Sequence, residues 1–287
     1  MTPNALLPDA TTMDAVTLHV DDLPGMVAWY RDAVALEILG DEHGHVVLGR
    51  GRTPLVVLRS TPGLPLPSRG EAGLFHTAIL FDDRASLAAA VASVVRHSPH
   101  SFAGSADHLV SLAFYFTDPE GNGVELYTDR PREQWQWVAG RVQMDNRPLD
   151  VGTYVERHLT DVGADHPHSG TATVGHVHLQ VGDLASAHEF YVGTLGFEQT
   201  AGWHGALFVS AGGYHHHMAM NTWNSRGAGP RASTLGLGEV TIRVPERGEV
   251  ESLAARLSER SIPLADDGHT LAFDDPWRNR VRVTADD

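Results

Sequence analysis

The chain of 287 residues contains no cysteine. That excludes disulfides, thiolate metal sites and thiol nucleophiles, so any transition metal must be held by nitrogen and oxygen. Positive charge is also scarce: 21 Lys plus Arg stand against 36 Asp plus Glu, a formal net charge of −15. Without a long basic run, neither a nucleic acid nor an anionic membrane surface is an expected partner. No apolar run approaches the roughly 18 residues that cross a bilayer. Met1 to Thr12 lacks the basic-then-apolar pattern of a signal peptide, so the expected location is the cytoplasm. What the chain does have is 42% hydrophobic content, enough for a substantial core, and 18 histidines.

One segment carries more chemistry than the rest. Tyr115 to Glu125 reads as strand, tight turn, strand. Asp118-Pro119 opens the turn with a fixed φ, and Gly121-Asn122-Gly123 tolerates φ > 0. Alternation beyond the turn places Glu125 on the face opposite Val124 and Leu126. Upstream, His76 begins the apolar run Thr77 to Phe81. A strand histidine and a strand glutamate are two thirds of a 2-His-1-carboxylate iron site. A lone strand glutamate is more often solvated, and the rest of the chain decides between the two.

The chain repeats itself. Val16 to Tyr30 matches Val177 to Tyr191 at a constant offset, each an alternating strand, an N-cap at Asp22 or Asp183, and a helix. The helix stripes are Leu23, Met26, Val27 and Tyr30, and Leu184, Ala187, His188 and Tyr191. Two weaker copies begin at His76 and Glu239, and the pair Asp118-Pro119 with Asn122 matches Asp275-Pro276 with Asn279. The pattern β-α-β-β-β therefore recurs over about 13–60, 70–128, 172–223 and 235–285. In chain order this gives one domain over 13–128, a linker over 129–171 rich in charge, Pro and Gly, and a second domain over 172–285. The fold class is α+β, with four modules forming two paired barrel-like domains.

These modules resemble the vicinal oxygen chelate superfamily (glyoxalase, bleomycin resistance protein and extradiol dioxygenase). Within it the chain is similar to the catechol 2,3-dioxygenase-like proteins, through Gly212-Gly-Tyr-His-His-His217. The resemblance implies a histidine ligand on the first strand of a module and a carboxylate on the last, which places the ligands at His76, His176 and Glu125. The matching positions elsewhere are Ala15, Glu239 and Arg282. For the three ligands to meet, modules two and three must pair with each other and modules one and four must form the other barrel. The resemblance also implies a tyrosine ten residues before the glutamate, Tyr115, and an acid-base histidine in a His-His-x-x-Ala pattern, His216. His215 and His217 face the other way from His216, so a one-residue shift would exchange their roles.

The implied activity is extradiol cleavage of catechol or a substituted catechol by O2 at non-haem Fe(II), with Mn(II) the alternative metal, in a homo-oligomer. Tyr115 or His216 would take the second catechol proton and stabilise the charged ring. A glyoxalase-like isomerase is the rival within the superfamily, but it needs a second carboxylate. A different metal set, His176 with His215 or His217 and Glu239, would arise if modules three and four paired. A metal-free, antibiotic-sequestering binding protein is the rival outside catalysis. His19, His178 and His188 read as surface or hydrogen-bonded core histidines. Trp135, Trp137, Arg130 and Arg132 read as packing and solvated linker residues, and Asn221 to Asn224 as a pocket rim.

Overall fold

The computed structural model describes residues 6–286; Met1 to Ala5, part of the stretch read for a leader pattern, lie outside them. Each of the four repeats folds as strand, helix and three further strands. The helices start where short acceptors satisfy free backbone donors. Asp22 accepts from the Gly25 amide at 3.0 Å, and Asp183 accepts from Ser186 at 2.8 Å. Met26 is buried in the helix of module one and Tyr30 in the π-helical segment Trp29–Ala33 that continues it, and Ala187, Phe190 and Tyr191 are buried in the helix of module three. Phe190, not His188, completes that third stripe. His188 is exposed, because desolvating an imidazole without a partner costs more than burying a phenyl ring.

The four modules build two sheets. The inner sheet runs Glu198–Trp203, Ala206–Ser210, Met218–Asn221, Ala172–Gln180, Gly73–Phe81, Gly123–Asp129, Ser111–Thr117, Phe102–Asp107. It joins modules two and three through an antiparallel ladder between Ala172–Gln180 and Gly73–Phe81. The outer sheet joins modules one and four in the same way, through Val16–Val20 and Gly236–Val244. Each sheet thus takes one module from each half of the chain, and neither 13–128 nor 172–285 closes a sheet of its own. A continuous core containing Leu18, Tyr30, Ile79, Leu87, Val177, Tyr191, Val240 and Leu253 draws on all four modules, which is why the halves cohere.

The stretch between the halves is ordered. It contains a short hairpin of Trp137–Val138 with Arg141–Val142 and helices over Val151–His158 and Asp161–Asp165. Trp135 is buried and donates its indole N–H to the Arg130 carbonyl at 2.9 Å, while Trp137 is exposed. The fully buried Arg50 donates to the Ser169 and Pro167 carbonyls, each at 2.7 Å. Among the described residues, no helix is long and apolar enough to cross a membrane.

Candidate metal centre

The turn after Tyr115 closes as its sequence dictates. Asp118 Oδ1 accepts from the amides of Glu120 and Asn122 at 3.0 and 2.9 Å, Asn122 Nδ2 donates to Oδ2 at 2.9 Å, and Gly121 takes φ 91°. The two strands then run antiparallel with Tyr115 opposite Glu125. Glu125 in turn pairs in parallel with Ala78, and Ala78 lies opposite His176 on the far side. Cross-strand partners share a face, so Tyr115, Glu125 and His176 project into the same cup. His76, two residues before Ala78, joins them by alternation. Gly175 sits in a register shift between Val174 and His176. Its lack of a side chain is required there, because a Cβ would overlap the Tyr127 hydroxyl.

The result is a compact donor set. His76 Nε2 and His176 Nε2 lie 3.0 and 3.1 Å from the same oxygen, Glu125 Oε2, and one ligand atom from each residue lies within 4.8 Å of the others. All three residues are buried. Burial works to raise the Glu125 carboxyl, but the His176 and His76 imidazoles outweigh it and hold the group well below the usual carboxylate range. Burial pushes His176 down, to about 4, against the pull of Glu125, which leaves a neutral imidazole. Imidazole nitrogens and a carboxylate are the donors a divalent first-row metal prefers. The geometry agrees: His76 Nε2 is buried with no hydrogen-bond partner, despite its closeness to Glu125. A buried ring nitrogen left without a proton partner is costly unless a cation accepts its lone pair.

The three adjacent histidines separate cleanly. His217 Nδ1 is held by Ser210 Oγ at 2.9 Å, and His215 Nε2 meets Asp129 Oδ1 at 2.9 Å. His216 lines the cavity over the donor set, its ring centroid 4.1 Å from that of His176. The Asp129 carboxylate accepts from His215 Nε2, so His215 presents its Nδ1 lone pair, and His216 Nδ1 donates to it at 2.8 Å. His216 Nε2 is thereby the unprotonated nitrogen, and no group among the described residues takes it up. Burial keeps this imidazole neutral by lowering it well below the usual range.

Tyr115 lies beside Glu125, with its ring 5.6 Å from that of His76. Burial and the Glu125 carboxylate push its phenol up, so it enters the site as a neutral donor. Its hydroxyl is 2.6 Å from His108 Nε2. His108 donates through Nδ1 to the Asp145 carbonyl at 3.0 Å, which leaves Nε2 to accept from Tyr115. His178 shares the cup but not the donor set: Asn221 Nδ2 occupies its Nε2 at 3.0 Å. The alternative set of His176, His215 or His217, and Glu239 does not form, because Glu239 belongs to the outer sheet.

The cavity has a volume of about 80 Å³ and mostly apolar walls, including Phe75, Phe208, Trp203, Trp223 and Met144. His108, Met144 and Asn146 also line it, and none of them carries a sequence motif. Met144 and Asn146 reach the cavity from the stretch between the halves. Of the residues read as a rim, Trp223 lines the cavity, whereas Asn221 orients His178.

The chain belongs to the Glyoxalase/Bleomycin resistance protein/Dioxygenase superfamily, whose model matches residues 12–126 and 173–283. It is 34% identical over 265 residues to a Bacillus subtilis (strain 168) protein named catechol-2,3-dioxygenase, covering 90% of this chain and 92% of that one. A crystal structure from Bacillus subtilis subsp. subtilis str. 168 superimposes with a TM-score of 0.65 at 10% identity, over 98% of this chain and 86% of that one. Glyoxalase I from Zea mays superimposes with a TM-score of 0.57 at 14% identity, over 96% and 92%. At these identities the two structures bear on the fold.

Proposed function

We propose that the protein is an extradiol ring-cleaving dioxygenase acting on catechol or a substituted catechol with O2, using Fe(II), or Mn(II), held by His76, His176 and Glu125. The observation that carries this reading is the convergence of two buried imidazoles on one buried carboxylate oxygen. The relative named catechol-2,3-dioxygenase supports it. A metal bound by three residues on one face would offer open positions for both catechol oxygens and for O2. The single carboxylate in the donor set disfavours the isomerase reading, which needs two.

The chain's own residues have distinct tasks. His216 Nε2 accepts a catechol proton and later returns it, with His215 and Asp129 holding its tautomer. Tyr115, a neutral phenol, exchanges its hydrogen bond to His108 Nε2 for one to the charge that develops on the substrate oxygen. Phe75, Phe208 and Trp223 exclude water and pack the ring. The protein is cytoplasmic and homo-oligomeric in this reading, and has no nucleic-acid or membrane partner.

Anaerobic reconstitution with Fe(II), followed by air and catechol, tests it. A yellow ring-cleavage product is expected from the wild type and none from Glu125→Ala, which should also lose its metal. Full iron occupancy in Glu125→Ala would rule out the ligand set, and a metal-loaded wild type that leaves every catechol untouched would rule out the activity.

A further inference from the structure

The outer sheet has a cup of its own, and strand register places it on the same positions as the metal cup. Thr241 pairs with Arg282 as Ala78 pairs with Glu125, so Glu239 stands where His76 does and Arg282 where Glu125 does. Ala272 lies opposite Arg282 as Tyr115 lies opposite Glu125, and Thr17 lies opposite Glu239 as His178 lies opposite His76. The metal-binding chemistry is absent here, yet the space is larger: a cavity of about 430 Å³.

Its walls are strongly basic. Arg59, Arg231, Arg278, Arg280 and Arg282 all line it, with His19. The chain has no lysine, so these are five of its 21 cations, gathered in one hollow of a protein with net charge −15. Two of the five are neutralised locally, Arg282 by Glu239 at 2.6 Å and Arg280 by Asp274 at 2.7 Å. The other three have no carboxylate within ion-pair distance among the described residues. Arg231 donates to the carbonyls of Arg278 and Leu237, which orients it without cancelling its charge. Arg278 is held at φ 61°, a left-handed conformation that costs a side-chain-bearing residue and that glycine would adopt freely. Like charges that face one hollow repel, and guanidinium forks suit planar oxyanions.

We propose that this outer cup is a binding site for a small organic polyanion carrying two or three carboxylate or phosphate groups, engaged by Arg59, Arg231 and Arg278. The site is separate from the metal cup and independent of the activity assigned to it. Either source of oxyanion satisfies the geometry, so the test uses one of each.

Isothermal titration of the full chain with pyrophosphate and with propane-1,2,3-tricarboxylate, at constant ionic strength, should show saturable binding of at least one at one site per chain. Arg59→Ser should weaken that binding about tenfold or more, as loss of a charge-assisted contact does. Arg278→Gly should do the same. Because glycine relieves the backbone strain at 278, lost binding in that variant cannot be ascribed to misfolding. Glu125→Ala, in the other cup, should bind the anion as the wild type does. Preference for pyrophosphate or for the tricarboxylate identifies the oxyanion. The proposal is overturned if neither probe binds saturably, if Arg59→Ser and Arg278→Gly bind like the wild type, or if Glu125→Ala abolishes binding.

Discussion

Tyr30 donates its hydroxyl to Asp118 across 3.1 Å of buried space, and so ties a helix of module one to the turn that precedes Glu125 in module two. The repeat uses the same bond again, from Tyr191 to Asp275 at 3.0 Å. The sheets join modules two with three and one with four, whereas these bonds join one with two and three with four. Each of the four modules is therefore anchored to two others.

Replacing Tyr30 by Phe removes a donor from a buried carboxylate. A loss of about 1.5–3 kcal/mol is expected, the range for hydrogen bonds to charged groups, read by urea unfolding. Tyr191→Phe should cost a similar amount. Only Tyr30→Phe should also weaken metal binding, because only its turn leads into a ligand strand. Equal metal affinity in the two variants would contradict that coupling.

Burial pushes the Asp118 carboxyl up, to about 6, against the donors from Asn122, Tyr30 and Glu120. An unfolded aspartate titrates near 3.9. The folded state therefore holds the extra proton between about pH 4 and 6, and its stabilising contribution is lost as pH rises through 6. Relative to Asp118→Asn, the wild type should gain about 1 kcal/mol of stability at pH 5 compared with pH 7.5. Urea melts of both proteins at the two pH values measure this, and no difference between them would place the carboxyl in the ordinary range.

His216→Phe should keep its metal and still bind catechol, while turnover falls about 10²- to 10⁴-fold, the usual worth of an acid-base group. His217→Phe, which removes a partner of Ser210, should lower stability with turnover largely kept. Metal content and steady-state rates on the same samples separate the two effects. Wild-type turnover in His216→Phe would move the acid-base role elsewhere.

Gly175→Ala forces a methyl against the Tyr127 hydroxyl, which is paired with Tyr214 at 2.7 Å. Overpacking of this kind costs about 1–3 kcal/mol. Because the next residue is His176, metal affinity should fall in the same variant. Thermal unfolding with and without added Fe(II) would show both, and an unchanged midpoint would mean that the strand accommodates the methyl.

Much of this molecule is legible along the chain because strands and turns are local. The Asp-Pro-x-Gly-Asn turn, the alternation that isolates Glu125 from Val124 and Leu126, and the caps at Asp22 and Asp183 depend on neighbours within a few residues. The fourfold repeat follows from them, and it carries the strand positions of His76 and His176. His108, Met144 and Asn146 had no such signal, since His108 is fixed by the Asp145 carbonyl and the other two meet the cavity only through the tertiary fold. Only the tertiary structure decided that Ala172–Gln180 pairs with Gly73–Phe81, and with it that two histidines 100 residues apart meet one carboxylate. It also decided that His216, among three adjacent histidines, turns into the cup. A ladder between distant strands is chosen by the burial of a whole core, and that energy is not written in any one segment.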